Sequence, residues 1–203
     1  LKELAKMADS TKEALIFVHG YNSTFSDSVR RTAQLTYDLA FSGPALTYSW
    51  PSEGRIASYV RDESNAEWAV PHARQVLMSL RSAGINRVNI IAHSMGNLVA
   101  VNGLAGIPPE LRPRARAFIL AAPDIGRDYF LTLATAVRSA AESVTLYASA
   151  RDQALRVSKG LHGYPRAGDA EDILIVDGVT SIDASHVSTD FLGHGYFSEE
   201  RSL

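Results

Sequence analysis

Residues 92–96 read Ala-His-Ser-Met-Gly, and they close an apolar run, RVNIIAH (87–93). A strand does not need a serine at its tip, but a nucleophile does. A serine hydroxyl is a weak nucleophile at neutral pH, so it needs a base beside it and a backbone that holds it clear of the sheet. A sharp strand-to-helix turn achieves the second, with small residues two before and two after the serine. Ala92 and Gly96 occupy those positions around Ser94. The helix expected to follow aims its N-terminal amides and dipole at the nucleophile, where negative charge develops on an attacked carbonyl. The plainer alternative is that Ser94 is a helix N-cap.

An oxyanion hole takes the amide after the nucleophile and one from the loop after an earlier strand. Met95 supplies the first. Tyr21 supplies the second, because EALIFVHG (13–20) reads as a strand ending at a glycine. Asn22 and His93 flank these donors and are candidates for touching substrate. Trp50, at the end of another strand, is a third.

The base should be one of six histidines. His19 and His93 border the proposed oxyanion loop and the nucleophile, and neither precedes a turn that would aim its ring back at Ser94. His72 is mid-helix and His162 lies in a Gly/Pro-rich stretch. His194, in Gly-His-Gly, and His186 come late in the chain, where the order Ser, Asp, His puts the base. The acid that orients the imidazole follows an intermediate strand. Asp152, in the strand-end loop SARDQ, is favoured, and Asp124 is the alternative, able instead to cap the next helix.

Other chemistries lack their signatures. No GxGxxG, GxxxxGK[ST] or HExxH occurs. His186 and His194 with Asp190 between them match no standard metal-ligand spacing. Cysteine is absent, which excludes disulfides, thiolate metal sites and a cysteine nucleophile. Twenty basic against 22 acidic residues give a net charge of −2, which offers no attraction to nucleic acid or anionic membrane. The basic cluster RPRAR (112–116) reads as a solvated loop.

The elements that must position these residues alternate. Strands are expected at 13–20, 43–50, 87–93, 116–124, 143–149 and 173–178. Helices are expected at 27–41, 62–83, 96–106, 129–142 and 152–160, the second kinked or split by Pro71. The segment 191–200 closes the chain. Near-continuous Val/Ile/Leu/Ala strands are covered on both faces. The pattern predicts an α/β fold, a mostly parallel sheet with helices on both sides, in one domain with a core over 14–197 and an N-terminal segment 1–13. In such sheets sites form just past the carboxyl ends of strands. No stretch approaches the length of a membrane span. A removed export or anchor segment would place this domain outside the cytoplasm; the composition itself leaves compartment and oligomeric state open.

HGYN (19–22), AHSMGN (92–97), Asp152 and GHGYF (193–197) together resemble the α/β-hydrolase superfamily. The turn with alanine in its first small position is similar to that of some small bacterial lipases. FVHGYNSTF (17–25), SWPS (49–52), RDESNAEWA (61–69), NIIAHSMGN (89–97), AAPDI (121–125) and LGHGYF (192–197) resemble a bacterial α/β-hydrolase family long catalogued as a domain of unknown function. The resemblance implies Ser94 as nucleophile, His194 as base, Asp152 as acid, the Tyr21 and Met95 amides as oxyanion donors, and no cofactor or metal. It also exposes two departures. Only residues 124–142 are available for a cap, too few for a helical cap domain, and the early antiparallel strands are missing or truncated. The expected activity is hydrolysis of small-molecule carboxylic esters through an acyl-enzyme. An acyltransferase or thioesterase with the same triad, or a non-catalytic binding domain, are the alternatives.

Overall fold

Strand and helix alternate from Glu13 onward, and each helix returns the chain so that the next strand runs the same way. The computed structural model describes residues 2–7 and 13–187. Its elements are α1 (Lys2–Met7), β1 (Glu13–Val18), α2 (Phe25–Asp38), β2 (Ala45–Tyr48), α3 (Tyr59–Ser82), β3 (Arg87–His93), α4 (Gly96–Ala105), β4 (Arg114–Ala121), α5 (Arg127–Ala140), β5 (Ala141–Ala148), α6 (Gln153–His162) and β6 (Thr180–Asp183). The strands form one parallel sheet in the order β2-β1-β3-β4-β5-β6. No antiparallel strand joins this sheet among the described residues, and β4 leads into α5 after five residues, leaving no room for a cap there.

The two faces of the sheet follow the period-2 alternation of side chains. Ala14, Ile16 and Val18 of β1 join the large core with α3, α4 and α5. Leu15 and Phe17 point the other way, onto Leu35 of α2. Leu155 of α6 packs with Ala122 and Ala184. All of β1 is buried, whereas the edge strands β2 and β6 are half-exposed. The near-continuous apolar pattern of a doubly covered strand therefore holds at the sheet centre and fades toward its edges.

The strand order fixes where a site can form. The chain winds from β1 outward to β2, then crosses back to β3 and continues the other way. The carboxyl ends of β1 and β3 thus diverge into separate connections, leaving a crevice at this switch point. Val18 pairs with Ala92 in that register, so Gly20-Tyr21 and Ser94 leave the sheet side by side.

Several expectations are corrected. The sixth strand is Thr180–Asp183 and not 173–178, whose Val176 makes only an isolated antiparallel bridge to Val179. ILIV has strand composition, but the Asp177-Gly178 turn folds it back before it can reach β5. α3 runs unbroken through Pro71. Pro71 is exposed, and the carbonyl it strips of a partner belongs to the exposed Glu67, where water satisfies it. α2 starts at Phe25, earlier than expected, because Thr24 and Asp27 form a reciprocal capping box. The RPRAR segment is not a solvated loop. Arg112 is buried and donates to the Ile107 carbonyl at 3.1 Å and to Ser139 Oγ at 3.2 Å, while Arg116 pairs with Glu13 at 3.1 Å in β4.

Candidate active site

Ser94 stands where β3 ends and α4 begins, with φ +52°. A residue with a Cβ resists that left-handed region by roughly 1–2 kcal/mol, so the surroundings must impose it. Three donors converge on the Ser94 carbonyl: the Asn97 amide at 3.0 Å, Asn97 Nδ2 at 2.9 Å and the Asp124 amide at 3.2 Å. Asn97 Nδ2 also reaches the carbonyls of Ala92 and Ala121 at 3.1 and 3.2 Å. One fully buried carboxamide therefore clamps both sides of the turn. Sequence reasoning passed over Asn97, although its place directly after AHSMG was the available signal.

The small residues have steric reasons. A Cβ on Gly96 would sit 2.3 Å from the His19 carbonyl oxygen and 2.7 Å from that of Val18. A Cβ on Gly20 would sit 2.7 Å from Ser94 Cβ. Only glycine lets α4 and the β1 end approach this closely. Gly96→Ala should cost about 3 kcal/mol, the upper end for overpacking, because both opposing atoms are backbone. Urea denaturation should show it as a lowered midpoint.

The N-cap reading of Ser94 does not hold. Met95 is the cap residue of α4, and the cap makes no side-chain hydrogen bond. Ser94 is only 1% exposed, yet its Oγ has no hydrogen-bond partner among the described residues. Among the same residues, neither the Tyr21 nor the Met95 amide has an acceptor. The Tyr21 ring meets Tyr59 edge-on at 5.3 Å. Burial pushes the Tyr21 phenol up, and the Asp124, Asp62 and Asp152 carboxylates add to it, so three acidic groups surround this loop.

Asp152 is 1% exposed and caps α6, accepting the Leu155 amide on Oδ1 at 3.0 Å. Asp124 does not cap α5, whose N-cap is Gly126. Its Oδ1 accepts from Ser158 at 2.6 Å and Arg166 Nε at 2.7 Å, and its Oδ2 accepts from Tyr59 at 2.6 Å. Burial, and then the adjoining Asp124 charge, push the Tyr59 phenol far up and keep it a donor. His186 is exposed in the turn after β6. Asp183, near it in sequence, binds the Ser185 amide at 2.8 Å and its hydroxyl. His194 and the closing segment 191–200 lie outside the described residues.

His19 and Trp50 form a structural pair. Their rings stack at 5.0 Å, and Trp50 Nε1 donates to the His19 carbonyl at 2.7 Å. Trp50 is 2% exposed, and its indole packs in the core under the β1 end. His19 Nδ1 lies 2.8 Å from the Gly20 carbonyl and Nε2 lies 3.2 Å from Ser49 Oγ, an arrangement met by the neutral ring. Burial lowers its pKa. The unfolded chain then binds more protons than the folded one below about pH 6.5, so stability falls as pH drops through that range. The slope contributed by one proton cannot exceed about 1.4 kcal/mol per pH unit. Denaturation curves from pH 7.5 to 5 should be shallower in pH for His19→Asn than for wild type. His93 is half-buried beside Gly20, its Nδ1 3.1 Å from where a Gly20 Cβ would be. Asn22 has φ +54° and its amide reaches Asp62 Oδ2 at 3.4 Å.

A cavity of about 810 Å³ lies along α3, α4 and the start of α5, lined by Glu67, Arg74, Leu98, Asn102, Tyr129 and Tyr164 among others. Ser94, Tyr21 and Met95 are not in its walls, so this space is separate from the turn. No helix among the described residues is long and apolar enough to cross a membrane.

A parallel sheet of this order has a counterpart among protein families. Residues 2–203 match the family described as α/β hydrolase of unknown function (DUF900). The chain belongs to that family. Among solved structures this α/β hydrolase resembles a predicted CIB-like hydrolase of Thermoplasma acidophilum, with a TM-score of 0.53 and 15% identity over 96% of this chain and 83% of that one. An esterase of Pyrococcus furiosus aligns with a TM-score of 0.46 and 15% identity over 87% of this chain and 74% of that one. A Trichoderma reesei cutinase aligns with a TM-score of 0.40 and 14% identity over 98% and 83%. No curated protein matches the sequence. The first of these likenesses shows the α/β-hydrolase fold at a distance where substrate does not carry over.

Proposed function

We propose that this α/β hydrolase is a serine esterase that cleaves small-molecule carboxylic esters through an acyl-enzyme on Ser94. The observation that carries the reading is the left-handed, buried Ser94, whose hydroxyl lacks a partner among the described residues. Beside it lie two amides that lack acceptors in the same set.

In the proposed cycle Ser94 Oγ attacks the ester carbonyl as His194 takes its proton. The carbonyl oxygen gains the negative charge and is held by the Tyr21 and Met95 amides. Collapse of the tetrahedral intermediate breaks the bond to the alcohol, which leaves with the proton from His194. Water repeats the sequence on the acyl-enzyme, releasing the acid and restoring Ser94. Asp152 is the proposed acid, holding the imidazole in the tautomer that accepts from serine. The bonds of Asp124 support this choice, since Ser158, Arg166 and Tyr59 already occupy both its oxygens.

Labelling with a fluorophosphonate probe, followed by peptide mass mapping, tests the reading. The tag is expected on Ser94, and expected to vanish in Ser94→Ala and His194→Ala. A folded wild-type protein that takes no tag and turns over no ester in a panel of acyl lengths would overturn it.

A further inference from the structure

We propose that Asp62 is the positioning residue of the oxyanion loop, setting the direction of the Tyr21 amide from a neighbouring helix. The inference rests on the esterase reading above, because it assigns a task to the amide which that reading places in the oxyanion hole.

Asp62 lies in the first turns of α3 and is 0% exposed. A carboxylate removed from water is normally paired with a cation or bound to a metal. Asp62 forms no ion pair among the described residues. Its oxygens are met instead by donors from two strand-end loops. Oδ1 accepts the Glu53 amide at 2.8 Å. Oδ2 accepts Ser52 Oγ at 2.6 Å and the Asn22 amide at 3.4 Å. Ser52 Oγ extends the reach, accepting the Ser23 amide at 3.3 Å. Two successive amides of the loop after β1 are therefore tied, directly or through Ser52, to one buried carboxylate.

Those ties fall on the residue after the proposed donor. Asn22 has φ +54°, the left-handed region that a side chain resists. The peptide before Asn22 carries the Tyr21 carbonyl and the Asn22 amide. Fixing that amide on Asp62 fixes the plane through which Tyr21 enters the turn. Without the carboxylate, Asn22 gains by relaxing to negative φ, and the Tyr21 amide swings with it. Two accepting oxygens are required: a carboxamide in place of the carboxylate keeps the shape but offers one nitrogen that cannot accept.

The test compares wild type with Asp62→Asn and Ser52→Ala. It reads kcat and KM on p-nitrophenyl acetate, the fluorophosphonate labelling rate, and hydrogen exchange of the 21–23 amides. Asp62→Asn is expected to lower kcat and the labelling rate about 10- to 100-fold with KM within about twofold, since an ångström of misplacement acts on the transition state. Exchange at 21–23 should speed up while that of β3 does not. Ser52→Ala should shift all three readouts the same way by less, and it decides the matter if Asp62→Asn does not fold. Unchanged exchange at 21–23 in a folded variant overturns the positioning role whether or not the protein is an esterase. Faster exchange with unchanged kcat in an active enzyme also overturns it. Wild-type protein without labelling or turnover overturns the esterase reading, and with it the task assigned here to Asp62.

Discussion

Ser94→Ala should lower ester turnover by at least about 10³-fold and abolish fluorophosphonate labelling, while the protein unfolds at the same or a higher temperature. The rate loss follows from the proposed role: members of a triad act as a unit, and what survives is the contribution of the oxyanion donors and of binding. The stability side follows from the structure. Ser94 keeps φ +52° whichever of the two side chains it carries, because Asn97 and the Asp124 amide hold its carbonyl. Its hydroxyl contributes no hydrogen bond among the described residues. Replacing a buried hydroxyl that lacks a partner among the described residues with hydrogen removes a desolvation cost of about 1–3 kcal/mol. A serine that capped the helix would behave oppositely, since losing a cap costs about 1 kcal/mol. Parallel thermal melts and turnover assays separate the two. Activity lost with stability kept marks a residue retained for chemistry, and a drop in both would mark a structural one.

The turn itself was legible because its chemistry is local. Strand-to-helix reversal at Ser94 needs small residues at fixed offsets, and Ala92 and Gly96 are written in the chain at those offsets. The bounds of β3 follow from the same run, ended by the turn. The fold class was legible for a related reason. Doubly covered strands such as β1 have no polar side to hide, so their composition announces them. The sixth strand was not legible. ILIV and TSID differ little in what they offer an edge position, and only pairing with β5 selects Thr180–Asp183. Pro71 misled because the cost of an interior proline depends on whether water can reach the stripped carbonyl, which is a matter of burial and not of spacing.

The sequence points to candidate reacting groups, but what holds the Ser94 turn in place leaves no mark in it. Asn97, Asp62 and Arg166 lie 3, 32 and 72 residues from Ser94 in the chain. Each acts through a hydrogen bond to backbone or carboxylate, which leaves no periodic trace. Trp50 shows the same limit: its place at a strand end is written in the chain, but its stacking on His19 is not. The left-handed residues form a further pattern visible only in three dimensions. Three of the four such residues other than glycine among the described residues, Asn22, Ser94 and Ala122, follow β1, β3 and β4, so this strain gathers at the carboxyl ends of the central strands; the fourth, Ala40, follows α2. Strain of that kind persists only where its surroundings over-determine it.

Arg166→Met should destabilise the protein by about 3–5 kcal/mol, a large fraction of the roughly 5–15 kcal/mol of a typical domain. Arg166 and Asp124 are each 3% exposed and meet at 2.7 Å, with a second bond from the guanidinium to the Asp124 carbonyl at 3.1 Å. Burial opposes the Arg166 charge most strongly, but Asp124, Tyr59 and Tyr164 together outweigh it and the guanidinium pKa is raised. Methionine fills much of the volume but leaves Asp124 ionised among neutral donors, Tyr59 and Ser158. A double variant identifies the cause. Adding Asp124→Asn to Arg166→Met removes the stranded charge, so the pair should be more stable in urea denaturation than Arg166→Met alone. A double variant no more stable than the single would mean that lost packing, not the stranded charge, is responsible. The effect should also reach the active site. The Asp124 amide holds the Ser94 carbonyl, and Tyr59, bonded to Asp124, packs against Tyr21. Freed from Arg166, Asp124 should loosen both the Ser94 turn and the loop after β1, so on the proposed reading fluorophosphonate labelling should slow in the variant even at temperatures where it is fully folded.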